Sequence, residues 1–436
     1  MKRVAISTLG CKTNQFESAA MTEQLKNAGY RIVAFNEPSD FYIINSCTVT
    51  ARTDAETRRL IRRARRLNPE SRIIATGCYA QVAPGELEKM PEIDCVLGNQ
   101  EKLSISSLLE SSGHSVSDIS KIPDAEPLKL TSFAEHTRAF LQIQNGCNSF
   151  CSYCIVPYAR GRSRSVITDD ILQGMHDLAA NGFKEIVLTG IHLGAYGLDL
   201  PSPTTLTALV RRIEAEYIVP RLRIGSVEPN EVSEEFLNLM ATSRSICHHA
   251  HLPLQSGSNS VLSRMGRPYT SGLFRDLIAQ ISAAMPDAFI GADVIAGFPG
   301  ESEAEFEETV HLLEELPFSD LHVFPYSSRP GTKAAGMPGH VPDRIVTERA
   351  ARLRGIAAEK KSAFLQRFAG KELTVLVQGF NDKTGVCRGL TRNYITVSFP
   401  GTKDLVNEEV SITIESCDGQ ACSGHLSTFL PPAVSI

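Results

Sequence analysis

Cys147-Asn148-Ser149-Phe150-Cys151-Ser152-Tyr153-Cys154 places three thiols in eight residues, spaced C-x3-C-x2-C. Iron–sulfur clusters are held by Cys thiolates, and a four-iron cube has four irons to ligate. Three local cysteines leave one iron for a distant fourth Cys, for solvent or for a bound small molecule. The preceding run Phe140-Leu141-Gln142-Ile143-Gln144 alternates and ends in Asn145-Gly146. That pattern predicts a strand delivering the thiols onto a loop at its carboxyl end. The competing readings are zinc and inert thiols. Zinc sites are usually built from four ligands in paired Cys or Cys/His groups, and no second pair sits nearby.

Outward from this loop, apolar runs alternate with helical ones. Strands are expected at 185–189, 221–227, 250–254, 289–295 and 320–325, which with 140–144 make six βα repeats. Either a doubly wound sheet or an incomplete barrel fits that order. The strand ends are polar and Gly-rich. Gly190 permits close backbone approach to a ligand. Glu228 offers a carboxylate to an ammonium or a ribose, although a structural salt bridge is the commoner use of a Glu. His248, His249 and His251 lack a carboxylate at ligand spacing and are assigned packing or hydrogen-bonding roles. Arg160, Arg162, Arg164, Arg264 and Arg267 flank the expected mouth, where they either hold anions or lie on the surface.

The first stretch, residues 1–105, repeats the strand–helix alternation, with strands at 4–7, 41–44, 73–75 and 95–97. Cys11, Cys47 and Cys78 each follow one of the first three strands. In an open parallel sheet those ends share an edge, so the three thiols converge. A metal-free nucleotide-binding sheet is the alternative. Cys95 lies at a strand and is read as a packed thiol. The run Arg58-Arg59-Leu60-Ile61-Arg62-Arg63-Ala64-Arg65-Arg66 aligns arginines along a helix. It forms either a phosphate-contacting face or a solvated one paired with Glu56 and Glu70. Residues 106–136 read as a linker and 137–368 as the central unit. After residue 369 short strands split by turns suggest a small β-barrel. Cys387, Cys417 and Cys422 lack metal spacing and are expected as ordinary thiols.

The chain has 436 residues, a net charge of −5, and is 42% hydrophobic and 21% charged. It therefore has no global basic field for nucleic acid; any such contact is a local patch. No signal peptide or membrane span is expected, and eleven cysteines without a secretory signal point to a reducing cytoplasmic setting.

The thiol loop, with Pro157-Tyr158-Ala159-Arg160-Gly161-Arg162 after it, resembles the radical S-adenosylmethionine (SAM) methylthiotransferase family. Leu9-Gly10-Cys11-Lys12-Thr13-Asn14-Gln15, Asn45-Ser46-Cys47-Thr48 and Gly77-Cys78-Tyr79-Ala80-Gln81 resemble its three auxiliary-cluster segments. The resemblance implies an α/β multidomain fold: an N-terminal open parallel sheet, a central partial (β/α)6 barrel and a C-terminal TRAM-like β-barrel. It implies two [4Fe-4S] clusters, one on Cys11, Cys47 and Cys78, the other on Cys147, Cys151 and Cys154 with SAM on its open iron. Tyr153, Gly190, Glu228 and Gln255 become candidate SAM contacts. Arg388, Arg392 and Tyr394 become candidate RNA contacts, although the last unit is slightly acidic and a packing lid is the alternative. The implied reaction replaces a C–H bond with C–SCH3, drawing on an electron donor and a sulfur source. The segments around Cys11 and Arg160 are closest to the branch acting on threonylcarbamoyladenosine 37 of tRNA. The isopentenyladenosine branch and the ribosomal-protein aspartate branch come second and third.

Overall fold

The computed structural model describes residues 1–111, 113–125, 130 and 137–427; the rest of the expected linker and of the carboxyl terminus lies outside the described residues. The first unit is a parallel sheet of β1 (Arg3–Thr8), β2 (Arg31–Val33), β3 (Phe41–Ser46), β4 (Arg72–Gly77) and β5 (Cys95–Val96), ordered β2-β1-β3-β4-β5. Every residue of the central β3 is buried. This is why its sequence runs apolar instead of alternating: helices cover both faces. The helices that matter for the site are α1 (Lys12–Asn27), α2 (Ala51–Leu67) and α3 (Cys78–Val82). The α1 helix starts earlier than its apolar pattern suggests, because its first turn buries Thr13 and Asn14. The three-residue edge strand β2 carries too short a pattern to be read from sequence. Inside the expected linker, Ser115 pairs with Leu97 and extends this sheet by one bridge.

The central unit contains β6 (Arg138–Gln142), β7 (Gln144–Asn145), β8 (Arg164–Ser165), β9 (Glu185–Thr189), β10 (Arg221–Ile224), β11 (His249–Gln255), β12 (Phe289–Ala296) and β13 (Asp320–Pro325). Two parallel three-stranded sheets form, β6-β9-β10 and β11-β12-β13. They meet at a seam where Val227 N–H donates to the His251 carbonyl at 3.2 Å. The result is a crescent of six strands, the incomplete alternative of the two the sequence allowed. The short antiparallel pair β7–β8 pins the base of the thiol loop. The α1 helix lies against β6, and the long helix Asp343–Gln366 lies along β13.

The last unit is a closed barrel of β14 (Glu372–Asn381), β15 (Val386–Thr391), β16 (Thr396–Pro400), β17 (Glu409–Cys417) and β18 (Cys422–Leu426), around Val375, Val377, Val397, Phe399, Ile412 and Ile414. Two expectations are corrected here. Cys417 and Cys422 form a disulfide where β17 turns into β18 and are not free thiols. The turn brings the two residues together across adjacent strands, which sequence spacing alone did not reveal. Arg392 and Tyr394 are not free to grip RNA. Arg392 donates to the carbonyls of Pro220 at 3.1 Å and Ser245 at 3.0 Å. Tyr394 packs against Arg223, 4.8 Å from its ring centroid, and against His249. Both residues seal the small barrel onto the amino-terminal end of the crescent, the lid reading. Arg388 is exposed on β15.

That junction turns on Glu185. It accepts from Arg221 Nε at 2.8 Å and from Arg223 Nε at 3.0 Å, and all three side chains are fully buried. Arg221 reaches on to Glu409 at 2.8 Å and to the Leu390 carbonyl at 3.0 Å. Burial alone would raise the Glu185 carboxyl, but Arg223, Arg221 and Arg138 hold it down at about 2. Among the described residues no helix is long and apolar enough to cross a membrane.

Glu185→Gln strands two buried guanidinium groups and is expected to cost about 3 to 5 kcal/mol at neutral pH in chemical denaturation. The native carboxyl is depressed from 4.5, so its contribution is complete above that pH and fades as pH falls toward about 2. The gap between mutant and wild type should close over the same window.

Candidate active site

The thiol loop is built on two turns that need glycine. Gly146 has φ +74°, and a Cβ there would lie 1.8 Å from the Arg162 carbonyl oxygen. Cys147 N–H donates to the Gly161 carbonyl at 3.1 Å, and Cys154 N–H to the Cys151 carbonyl at 2.9 Å. Ser152 ties the loop to Met265 at 2.8 Å and Ala334 at 2.7 Å. Donors converge on the sulfurs. Arg267 Nη1 donates to Cys151 Sγ at 3.2 Å, and His192 Nδ1 lies 3.6 Å from Cys147 Sγ. Burial raises the Cys154 thiol to about 12, assisted by the neighbouring Cys151 and Cys147. Burial also opposes charge on His192, but Cys147 and Glu231 outweigh it and raise the imidazole to about 10. Its Nε2 stands 2.7 Å from Glu231.

The carboxyl ends of β1, β3 and β4 carry the other triad. Cys11 caps α1, Cys47 follows β3 and Cys78 opens α3. Cys47 and Cys78 are buried and Cys11 is exposed. The three are electrostatic neighbours: burial, then Cys78 and Cys11, drive the Cys47 thiol to about 12. Asn14 Nδ2 donates to the Leu9 carbonyl at 2.7 Å and the Ser46 carbonyl at 3.0 Å, and Asn45 Nδ2 to the Asn14 carbonyl at 3.0 Å. These two amides hold the loops that present Cys11 and Cys47. Gly10 has φ +100°, and a Cβ there would stand 2.6 Å from that of Cys47.

Arg160 joins the triads. The sequence suggested a residue at the mouth or on the surface; instead its side chain is 1% exposed. Its Nε donates to Cys78 Sγ at 3.3 Å, and its two terminal nitrogens hold Glu17 and Asn14. Lys102 Nζ completes the cluster at 2.6 Å from Glu17 and 2.7 Å from Asn99 Oδ1. Burial alone would raise the Glu17 carboxyl, yet Arg160 and Lys102 hold it below the usual range. Arg160 ends the short helix that follows Cys154, so the chain leaving one thiol loop reaches a sulfur of the other triad. A second tie runs from Arg329 to Thr48 at 2.8 Å and to Asp54. Sequence reading missed Glu17, Lys102 and Asp54, whose charges carry no local pattern.

Between the two units lies a cavity of ≈ 210 Å³, lined by Val49 and Thr50 from one side and Tyr153, Cys154, Gln255 and Asp293 from the other. Tyr153 and Gln255 thus face one space. Gln255 has φ +66°, a left-handed conformation rare for a side-chain-bearing residue. Gly190 leaves room for Gln144 and Leu193, which a Cβ would meet at 3.0 and 2.8 Å. Glu228 is held by Arg267, the salt-bridge use. His251 does have a carboxylate partner: Asp293 on the next strand lies 3.6 Å away. On α2, Arg58 bonds the Tyr79 hydroxyl at 2.6 Å and Arg65 bonds Asp94 at 2.7 Å, while Arg62, Arg63 and Arg66 stay exposed.

The thiols fit iron–sulfur cubes better than zinc. Tetrahedral zinc with bonds near 2.3 Å brings sulfurs to about 3.8 Å of one another. Among the described residues, the group of three metal-binding side chains gathered within 4.8 Å is His251, Asp293 and His322, and neither Cys triad is that tight. A cube spreads its ligands over separate irons. Sulfur-only donor sets with N–H groups aimed at the sulfur suit it.

Residues 3–98 match the family described as "Uncharacterized protein family UPF0004", and residues 141–313 match the radical SAM superfamily. The chain is 39% identical over 426 residues to the threonylcarbamoyladenosine tRNA methylthiotransferase MtaB of Bacillus subtilis, covering 95% of this chain and 94% of that one. It is 40% identical to the protein of the same name from Aquifex aeolicus, over 92% and 98% of the two chains. A tRNA-2-methylthio-N(6)-dimethylallyladenosine synthase of Syntrophobacter fumaroxidans is 34% identical over 97% and 95%. Among solved structures, the radical SAM methyltransferase TsrM from Kitasatospora setae superposes with TM-score 0.54 at 16% identity over 80% and 84%, a likeness of fold alone. With both thiol segments matched and relatives aligned along nearly its whole length, the chain belongs to the radical SAM methylthiotransferase family.

Proposed function

We propose that this enzyme converts N6-threonylcarbamoyladenosine at position 37 of tRNA to its 2-methylthio derivative. The observation that carries the proposal is a cavity at which Cys154 of one triad faces Val49 and Thr50, which follow Cys47 of the other, in a chain 39% identical to a relative of that name. In this reading Cys147, Cys151 and Cys154 hold one [4Fe-4S] cluster with SAM, and Cys11, Cys47 and Cys78 hold a second. When bound, SAM and the first cluster supply hydrogen abstraction and the methyl group, and the second cluster supplies the sulfur. The chain's own side chains then have definite work. Arg267 and His192 stabilise sulfur ligands of the first loop by hydrogen bonds, and Arg160 does so for Cys78 in the second. Tyr153 and Gln255 line the space for SAM, and Glu228 keeps Arg267 in place. The Arg160 and Arg329 ties close the interface between units and keep water out.

The same reading divides the chain into a cluster-bearing unit at 1–105, a linker at 106–136, a SAM-binding unit at 137–368 and a TRAM-like unit at 369–436. It places the work in the cytoplasm, with tRNA, an electron donor and a sulfur source as partners. Exposed Arg62, Arg63 and Arg66 on α2 provide the local basic patch that an acidic chain needs for tRNA.

Three measurements test this. Nucleoside analysis of tRNA from a deletion strain should lack the methylthio group on threonylcarbamoyladenosine and retain it on isopentenyladenosine; the reverse pattern refutes the substrate. Alanine at Cys11, Cys47 or Cys78 should reduce anaerobically reconstituted iron from about eight to about four per chain. Those variants should still cleave SAM and make no methylthiolated product. Glu at both Arg63 and Arg66 should weaken tRNA binding and lower its salt slope by about two.

A further inference from the structure

Inside the crescent, inward-facing residues of adjacent strands stack in layers. Gln255, Ile295 and Phe324 line the upper cavity. Two residues earlier on β12 and β13 come Asp293 and His322, on the same faces of their strands, and His251 lies on β11 before the register shift between Pro253 and Gln255. Asp293 is the register partner of His322. Its Oδ1 lies 3.3 Å from His322 Nδ1 and 3.6 Å from His251 Nε2, and Ser226 Oγ lies 2.8 Å from His251 Nδ1. His251 Nε2 is buried without a hydrogen-bond partner. The His322 side chain is 60% exposed, so its ring opens toward the lumen. Lys12, the first residue of α1, comes from the other unit and neighbours Tyr394, Arg223 and Glu185 at the floor of the crescent. It is half-buried, lies within electrostatic range of His251 and His322, and has no hydrogen bond or ion pair among the described residues.

An ammonium withdrawn from bulk water calls for an anion. Two imidazoles beside it can donate as well, while Asp293 orients them. A divalent ion suits this group less, because Lys12 adds like charge. We propose that Lys12, His251 and His322 form an anion subsite that takes the carboxylate of an amino-acid substituent on the adenosine. This rests on the substrate reading above and deepens it. The threonylcarbamoyl group carries a carboxylate, and an isopentenyl group has none. Asp293 is then available to accept from the substituent's hydroxyl. Specificity would follow from charge, since a site built for an ionised group is left unpaired by an apolar one.

The test uses reconstituted full-length enzyme and an anticodon stem–loop RNA. Binding is measured for RNA bearing N6-threonylcarbamoyladenosine and for its methyl ester, with wild type, Lys12→Met and His322→Phe. Wild type should bind the acid at least about tenfold more tightly than the ester. Each variant should lose most of that ratio, with ester affinity changed by less than about threefold. Equal wild-type affinity for acid and ester overturns the subsite without recourse to any variant. So does an acid-to-ester ratio that persists in both variants, including one kept because the two affinities fall together. Wild-type enzyme that methylthiolates only isopentenyladenosine RNA would instead refute the substrate reading itself.

Discussion

The buried guanidinium of Arg160 sets the relation between the two thiol groups. It sits at the end of the short helix leaving the Cys147–Cys154 loop, and it donates to a sulfur of the other triad. A charge so deeply placed is tolerable only with partners that match it. Glu17, Asn14 and Lys102 supply them, all from the first unit. The interface is thus held by groups that must stay paired. Sliding one unit past the other would strand several buried charges at once. Such pairs contribute little net stability compared with apolar packing, and they specify geometry. Geometry is what a reaction between two separate centres requires.

The same device recurs at the opposite end of the crescent. Glu185, Arg221 and Arg223 fix the small barrel by its carbonyls and by Glu409, and Tyr394 closes the floor. The crescent is an open sheet, so its lumen would otherwise communicate with solvent at that end. The barrel packs on the floor and the first unit on the top, and Gln255 and Asp293 face the cavity between the units. Their disposition follows strand pleating: alternate residues point inward, and adjacent strands place them in layers.

Much of this was legible from local pattern. Cys147, Cys151 and Cys154 stood out by their spacing, and Cys11, Cys47 and Cys78 because each follows a predicted strand and parallel strands end on one edge. The crescent's strands were likewise read to within a few residues from apolar runs, since buried parallel strands are nearly continuous in hydrophobicity. Thr13, Asn14 and Asp54 open α1 and α2 as polar, buried residues, which breaks the apolar periodicity that marks a helix start. Arg392 and Tyr394 looked like an RNA-facing pair because composition does not say which surface meets another unit. The Cys417–Cys422 bridge was overlooked because five-residue spacing is uninformative without the turn between strands.

Motif order and thiol spacing alone pointed to the family, to the parallel α/β character of the first two units and to the six candidate thiols. They do so because ligand chemistry and strand periodicity are local properties, written within a few residues of each other. Pairings between distant charges were decided only by the tertiary structure. Glu17 with Arg160, Asp54 with Arg329, and Asp293 with His322 and His251 are separated by 143, 275, 29 and 42 positions. A buried charge is chosen for the partner that folding brings to it, and nothing in its own neighbourhood names that partner.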